Sequence, residues 1–150
     1  MIVERKLFKK IEPLIKSPEA IIVTGMRRTG KTTLLEYISD KISSGNKLFL
    51  DLENPLNQQL FSNDDYEAIW EDLKSKGLDP RERAYVFLDE IQAVGRIPSV
   101  VKYLFDHYNV KFFLTGSASY YLKNLFSESL VGRKYLFELF PLDFQEFLAF

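Results

Sequence analysis

The sequence contains no cysteine, one histidine and one tryptophan in 150 residues. The lack of cysteine excludes disulfides and thiolate-bound metal, and it suits a reducing cytosol, so we expect a cytoplasmic protein. A single histidine, His107, excludes a metal site built from several imidazoles. No apolar run approaches transmembrane length, and charges occupy the start of the chain where a signal peptide needs its apolar core. We therefore expect no membrane partner.

The charge balance is nearly even, with 20 basic residues, 21 acidic residues and a formal net charge of −1. This balance gives no overall attraction to nucleic acid or to an anionic membrane, although a local basic patch would be enough for either. Hydrophobic residues make up 46% of the chain, and a domain of this length buries about 68–70% of its unfolded surface. We expect one domain with a full hydrophobic core.

A phosphate-binding pattern lies between an apolar β-branched run and a helical pattern, at Gly25-Met26-Arg27-Arg28-Thr29-Gly30-Lys31-Thr32. The two glycines let backbone N–H groups turn inward as an anion-binding nest, and the helix N-terminus adds partial positive charge. Lys31 is predicted to contact the β- and γ-phosphates, and the Thr32 hydroxyl to take one Mg²⁺ position. The spacing and its strand-to-helix context predict a nucleoside triphosphate site. A chance glycine turn is the alternative interpretation.

The whole loop and the first turn of the helix are predicted to contact the nucleotide. These residues are Gly25, Met26, Arg27, Arg28, Thr29, Gly30, Lys31, Thr32 and Thr33. The two arginines have alternatives: they could pair with a neighbouring acid such as Asp51 or Glu53, or lie exposed without a fixed partner.

The apolar segment 84–88 ends in the acid pair Asp89-Glu90. A carboxylate at the end of a parallel strand lies at the sheet edge where open α/β sheets bind ligands. Asp89 is predicted to bind Mg²⁺, mostly through water. Glu90 is predicted to orient an attacking water or to accept its proton. An acid pair that only caps the next loop is the alternative.

A further apolar segment ends in Thr115-Gly116-Ser117. Either Thr115 or Ser117 could reach a γ-phosphate or the attacking water. A plain turn at the strand end is the alternative interpretation.

Strand and helix patterns alternate along the chain, which predicts a mostly parallel, doubly wound α/β sheet. The predicted strands are 20–24, 47–52, 84–88, 110–114 and 134–140. We expect Asn54-Pro55 to close the second strand, Asn63 or Asp64 to cap a helix, and another helix to follow Ser119. An Asp-x-x-Glu capping box at 143–146 predicts the last helix.

These motifs carry a family resemblance. The phosphate loop, Leu88-Asp89-Glu90-Ile91-Gln92, Leu114-Thr115-Gly116-Ser117, Gly132-Arg133 and the segment 140–147 occur in the order found in prokaryotic AAA+-like P-loop ATPases. The chain resembles, over essentially its whole length, the archaeal and bacterial members that usually carry a C-terminal domain of unknown function. The resemblance implies a three-layer α/β P-loop NTPase fold of the additional-strand, catalytic-glutamate type, with a mostly parallel five-stranded sheet of order 5-1-4-3-2.

The resemblance also implies roles for single residues. It implies Asp89 as the Mg²⁺ ligand, Glu90 as the catalytic base and Thr115 as a sensor of the γ-phosphate. Arg133 could stabilise phosphate charge, including across a subunit interface; a surface arginine with no such role is the alternative.

The predicted function is Mg²⁺-dependent binding and hydrolysis of ATP that drives a conformational change in a partner module. An ATP-gated switch or scaffold with negligible turnover is the alternative, followed by a P-loop kinase, whose acceptor site and lid residues we cannot locate. A GTPase is disfavoured because nothing resembles Asn-Lys-x-Asp. Because the chain stops on the apolar run 147–150, we expect a truncated chain whose C-terminal lid or partner domain is missing; a short closing helix is the alternative. A homo-oligomer and DNA binding are further hypotheses.

Overall fold

A computed structural model of the chain describes residues 5–26, 28–117, 130 and 132–149. Arg27 and the helix predicted after Ser119 lie outside the described residues. Among the residues described, no helix is both long enough and apolar enough to cross a membrane.

Five strands form a single parallel sheet. They are β1 Ala20–Thr24, β2 Lys47–Asp51, β3 Ala84–Asp89, β4 Val110–Gly116 and β5 Lys134–Glu138. Their spatial order is β2-β3-β4-β1-β5, and each neighbouring pair is parallel. Counted from the other edge, this is the predicted order 5-1-4-3-2, which is confirmed. The predicted strand bounds differ by one or two residues: β2 and β5 end earlier, and β3 and β4 end later.

Six α-helices fall within the described part of the chain. They are α1 Lys6–Ile11, α2 Lys31–Lys41, α3 Pro55–Leu60, α4 Tyr66–Ser75, α5 Ile97–His107 and α6 Phe144–Ala149. Single 3-10 turns follow α1 at Glu12–Leu14 and β3 at Ile91–Ala93.

One helix start was not predicted, and the cap of another was placed one or two residues too early. Asn54-Pro55 does not only close a strand: the Asn54 side chain accepts the N–H of Leu56 at 3.0 Å and caps α3, with proline in its first turn. The same residues therefore mark a strand end and a helix start. Asp65, rather than Asn63 or Asp64, caps α4 by accepting a backbone N–H at 3.0 Å.

The sheet is covered on both faces, which confirms the three-layer architecture. Because neighbouring side chains of a strand point to opposite faces, Ile22, Leu88 and Leu114 pack with α4 and α5. The other face packs with α1 and α2 and includes Ile21, Val23, Phe87 and Phe113. The rings of Phe87 and Phe113 stack across neighbouring strands with their centroids 4.7 Å apart.

All five strands run the same way, so their carboxyl ends share one edge of the sheet. In the register, Thr24 at the end of β1 lies beside Gly116 of β4, while Asp51 of β2 lies beside Asp89 of β3. The loop between β1 and α2 and the acid pair after β3 therefore meet at this edge. The order of the strands brings together residues that are far apart in sequence.

Candidate active site

The loop between β1 and α2 requires glycine at both of its ends. A Cβ on Gly25 would lie 2.4 Å from the backbone oxygen of Leu139, which comes just after β5. Gly30 has φ +92° and forms the N-cap of α2. Arg28, between them, is also left-handed, with φ 64°. Left-handed residues alternating with ordinary ones produce the tight curl in which successive N–H groups converge on an anion.

The side chain of Lys31, the first residue of α2, turns back into this loop. Its Nζ donates to the backbone oxygens of Gly25 at 3.1 Å and Met26 at 2.6 Å, and the residue is only 4% exposed. The Thr29 hydroxyl also donates to the Met26 oxygen, at 2.9 Å. The loop thus encloses its own ammonium group. Phosphate oxygens would have to replace these carbonyls as the acceptors of Lys31.

Thr32 and Asp89 meet where α2 approaches the end of β3. The Thr32 hydroxyl donates to Oδ2 of Asp89 at 2.7 Å, and Asp89 is 4% exposed. A hydroxyl and a carboxylate are the hard oxygen ligands that Mg²⁺ takes, usually one or two per site, with waters and phosphates completing the octahedron. The described residues contain no group of three His, Cys, Asp or Glu side chains that could hold a metal by themselves. This pair therefore fits a magnesium ion that is shared with a bound nucleotide.

Glu90 turns sharply out of β3. Its backbone is left-handed, with φ 60° and ψ 53°, a conformation that non-glycine residues adopt at a cost. The Thr115 hydroxyl accepts the Glu90 N–H at 3.0 Å. Oε2 of Glu90 accepts hydrogen bonds from the Ser117 hydroxyl at 2.9 Å and from the side-chain amide of Gln92. The turn directs the carboxylate toward the end of β4 instead of continuing the strand.

Two residues of the site were not singled out from the sequence. Gln92 lies in the Asp-Glu-Ile-Gln motif, and its amide contacts Glu90 only because of the left-handed turn between them. Arg5 lies before α1, and its Nη1 donates to the Thr29 oxygen of the loop at 2.7 Å. A basic residue just before the first helix carries no local pattern that would indicate this contact.

The structure brings most of the predicted residues to one place. Met26 and Arg28 are exposed on the loop, Thr29 is buried in it, and Thr32 and Thr33 are exposed in the first turn of α2. Thr115 is fully buried beside Asp89. Arg27 lies outside the described residues.

Arg133 is not brought to this site. Its backbone oxygen accepts the N–H of Ala20 at 2.8 Å, and its side chain pairs with Asp106 of α5 at 2.8 Å. Ala20 begins β1, whereas the loop follows Thr24, about 13 Å further along the strand at 3.3 Å per residue. Arg133 therefore lies at the opposite edge of the sheet, and its predicted role at a phosphate within the same chain has no support from its position. The role across a subunit interface stays a prediction.

Comparison with known proteins gives a family. A model described as "AAA domain" matches residues 17–148. An uncharacterized protein of Haemophilus influenzae is 30% identical over 132 residues, which cover 85% of this chain and 32% of that protein. One of Methanocaldococcus jannaschii is 33% identical over 130 residues, covering 86% and 28%. One of Mycobacterium tuberculosis is 30% identical over 142 residues, covering 93% and 29%. The chain spans less than a third of the length of these relatives.

Solved structures share the fold at low identity. PCH-2 of C. elegans aligns with a TM-score of 0.55 and 20% identity over 87% of this chain and 38% of its own. The Aeropyrum pernix ORC1 protein, solved in complex with DNA, aligns with a TM-score of 0.63 and 13% identity over 97% of this chain and 48% of its own. Drosophila ORC bound to DNA aligns with a TM-score of 0.64 and 12% identity over 97% of this chain and 95% of its own. With the family model matching most of its length, the chain belongs to the AAA domain family and is an AAA+-like P-loop ATPase domain.

Proposed function

We propose that this chain binds ATP with Mg²⁺ and hydrolyses it, and that the cycle drives a conformational change in a partner module. The observation that carries the proposal is the 2.7 Å contact between the Thr32 hydroxyl and Asp89, directly after the loop that encloses Lys31. A magnesium triphosphate is held by a hydroxyl and an ammonium at the N-terminus of a helix, together with a carboxylate that faces them.

Each residue has a separate task in this reaction. Lys31 would exchange its loop carbonyls for β- and γ-phosphate oxygens and neutralise their charge. Thr32 and Asp89 would hold Mg²⁺, which when bound adds positive charge at the same oxygens. Glu90 would orient a water and accept its proton as the new P–O bond forms and the bond to the ADP oxygen breaks. Thr115 would hold the Asp89 carboxylate and the Glu90 backbone N–H in place, and its role as a sensor of the γ-phosphate stays a proposal.

A second candidate is an ATP-gated switch with negligible turnover. It is supported by the two hydrogen bonds that Gln92 and Ser117 donate to the same oxygen of Glu90. Two donors already occupy Oε2, which hinders a water from approaching that oxygen of the carboxylate. In a switch, the double variant Gln92→Ala with Ser117→Ala would leave turnover negligible. In a hydrolase that these contacts restrain, the same variant would raise turnover.

The whole protein's partners are proposals as well. Adenine is proposed on the family resemblance, and a competition in which GTP displaced ATP would count against it. Since the chain covers less than a third of its relatives' length, we propose that further sequence beyond this domain supplies the lid or partner module, with a homo-oligomer as a further proposal. The absence of cysteine suits a cytoplasmic location.

DNA binding is a weaker proposal. The solved ORC1 protein of Aeropyrum pernix is in complex with DNA, but the net charge of −1 gives this chain no overall attraction to phosphates. We expect no salt-dependent shift of a DNA duplex by this chain alone, and such a shift would make DNA the partner to study first.

The experiment that tests the proposed function is phosphate release from Mg-ATP. Wild type is compared with Lys31→Ala and Glu90→Gln, and Lys41→Ala provides an exposed lysine of the same helix as a matched control. We expect Lys41→Ala to behave as wild type, Lys31→Ala to lose ATP binding, and Glu90→Gln to bind ATP without releasing phosphate. Binding that depends on Lys31 without any turnover would favour the switch. Binding that is indifferent to Lys31 would overturn both candidates.

A further inference from the structure

One guanidinium group joins the phosphate loop to the residues that follow β5 and to α6. Arg5 donates from Nη1 to the Thr29 oxygen at 2.7 Å, from Nη2 to the Phe140 oxygen at 2.6 Å, and from Nε to Oε2 of Glu146 at 2.7 Å. Its side chain is only 7% exposed. Thr29 belongs to the loop, Phe140 follows β5, and Glu146 lies in α6. Arg5 thus connects the loop directly to the last helix.

Glu146 is held on both of its oxygens. Oε2 also accepts the backbone N–H of Lys6 at 3.0 Å, and Oε1 accepts that of Asp143 at 3.1 Å. Asp143 returns a bond to the N–H of Glu146 at 2.8 Å, which completes the predicted capping box of α6. Lys6 Nζ pairs with Asp143 at 2.6 Å. The box that starts α6 is therefore the same group of atoms that binds Arg5.

The charge state of Glu146 matches this arrangement. Burial alone would raise its pKa, but hydrogen bonds from Arg5 and from the N–H groups of Lys6 and Asp143 outweigh burial, so its pKa is below the ordinary value. Glu146 is a carboxylate at neutral pH, and Arg5 contacts a charged partner. Charge-assisted bonds of this kind are the stronger ones.

The contact with Thr29 determines the direction of a loop N–H. In a trans peptide the C=O of one residue and the N–H of the next point in opposite directions. Holding the Thr29 oxygen toward Arg5 therefore directs the Gly30 N–H away from it. Space is also limited here, because a Cβ on Gly30 would lie 3.2 Å from Nη1 of Arg5. Arg5 fixes the Thr29–Gly30 peptide, which lies one peptide unit before that of Lys31.

We propose that Arg5 is a positioning residue of the nucleotide site, which orients the Thr29–Gly30 peptide for phosphate and, through Glu146, couples nucleotide binding to the placement of α6. The inference rests on the proposed function, because it needs a nucleotide in the loop. Arg5 acts through the peptide and does not itself bind the nucleotide. Coupling is reciprocal, so a change at α6 alters ATP affinity as much as ATP alters α6.

Arginine is required because its acceptors lie on three segments. A planar guanidinium presents several fixed donors at once, whereas a lysine ammonium acts as a point charge on a flexible stem. Arg5→Lys keeps the charge but cannot keep all three contacts. If only positive charge near the loop mattered, lysine would be an adequate replacement.

The first test measures the dissociation constant of Mg-ATP by titration calorimetry. We expect Arg5→Lys and Glu146→Gln each to weaken binding by about 5- to 150-fold, the range of coupling between sites. The double variant should be weaker by less than the product of the two effects, because both act through one contact. Arg81→Lys, at an exposed arginine paired with Asp79, is the matched control and should bind as wild type.

The second test observes α6 itself. The chain has no cysteine, so Ala149→Cys at an exposed position of α6 carries an environment-sensitive fluorophore at one place only. We expect ATP to change its emission in the wild-type background, and to leave it unchanged in Arg5→Lys even at ATP concentrations that saturate that variant. If the role of Arg5 were merely structural, a folded Arg5→Lys variant would keep this response.

The outcomes separate the inference from the proposed function. If folded wild type does not bind ATP, the proposed function fails. If wild type binds and Lys31→Ala does not, while Arg5→Lys and Glu146→Gln keep wild-type affinity or the α6 response, the inference is overturned and the function stands. Should Arg5→Lys fail to fold, Glu146→Gln carries the same two expectations, because it removes the negative charge from the same contact on the α6 side.

Discussion

The hydroxyl of Thr115 donates to Oδ1 of Asp89 and accepts the backbone N–H of Glu90 at 3.0 Å. The other carboxylate oxygen of Asp89 accepts the Thr32 hydroxyl. Thr115 is fully buried at the end of β4, so it holds the acid pair after β3 from the neighbouring strand. One hydroxyl positions both the proposed metal ligand and the proposed base.

Thr115→Val should therefore damage the site without changing side-chain shape. Valine keeps the β-branch but leaves the Glu90 N–H without its acceptor and Oδ1 of Asp89 without this donor, which costs about 1–3 kcal/mol of folding free energy. We expect turnover of ATP to fall by roughly 10²-fold, since small displacements of catalytic groups have effects of that size. Phosphate release and urea denaturation measure the two effects. Thr115→Ser keeps the hydroxyl, and turnover as low as that of Thr115→Val would contradict the assigned role.

The local parts of the site could be predicted from the sequence. The loop from Gly25 to Lys31 and the acids Asp89 and Glu90 each follow a short apolar strand pattern, and their side-chain types identify a phosphate and metal chemistry. The rule that ligands bind at the carboxyl ends of parallel strands then places these segments at one edge of the sheet. Which strands are neighbours came from the family resemblance, which implies the sheet order.

Contacts between distant segments could not be predicted in this way. Arg5 and Glu146 are 141 positions apart, and no periodicity connects them. Gln92 was visible in its motif, but its contact depends on a left-handed residue that the sequence Asp-Glu does not specify. Arg133 was assigned from the order of the motifs in the family resemblance, although a residue that directly precedes a parallel strand lies at the end of the sheet opposite the site.

The left-handed backbone of Glu90 predicts that glycine is more stable than alanine at this position, the reverse of the order inside a helix. An L-residue in this region costs about 1–2 kcal/mol, which glycine avoids at the expense of greater freedom in the unfolded chain. We expect Glu90→Gly to be more stable than Glu90→Ala by about 0.5–1 kcal/mol in urea denaturation, while both lose turnover. Glu36 is exposed in the middle of α2 and serves as the control. There we expect the alanine variant to be more stable than the glycine variant by about 1 kcal/mol. The same order at both positions would contradict the turn.

The close approach of β5 to the phosphate loop predicts a steric effect at Gly25. A Cβ there would lie 2.4 Å from the Leu139 oxygen. Leu139 cannot easily move away, because its N–H donates to the Thr24 oxygen at 2.7 Å. Gly25→Ala should lower the free energy of unfolding by about 1–3 kcal/mol, as other overpacked sites do, and should weaken ATP binding. Gly45→Ala is the matched control, since nothing lies within 4 Å of its Cβ. Equal stability of the two variants would exclude this close approach.

A buried lysine lies near the amino-terminal ends of the parallel strands, on the side of the sheet away from the phosphate loop. Lys111 of β4 is fully buried, and its Nζ donates to the Leu14 oxygen at 2.9 Å, to the Ser17 hydroxyl at 3.2 Å and to the Glu19 oxygen. It therefore ties the segment after α1 to the sheet. Burial, and secondarily the nearby charge of Arg83, lowers the pKa of Lys111 to about 7, while the charge of Glu19 acts in the opposite direction.

This pKa predicts that stability rises with pH above neutrality. In the unfolded chain Lys111 keeps its proton up to its ordinary pKa of 10.5, so between about pH 7 and that value the unfolded state binds more protons than the folded state. The free energy of unfolding then increases with pH, by at most about 1.4 kcal/mol per unit. Lys111→Met fills the same space without a titrating group. Urea denaturation of both proteins from pH 6 to pH 9 should show no pH dependence in their stability difference below pH 7, and above it a steady shift in favour of wild type. A difference that stays constant across the whole range would mean that Lys111 keeps its proton in the fold, because the three acceptors around Nζ then outweigh burial.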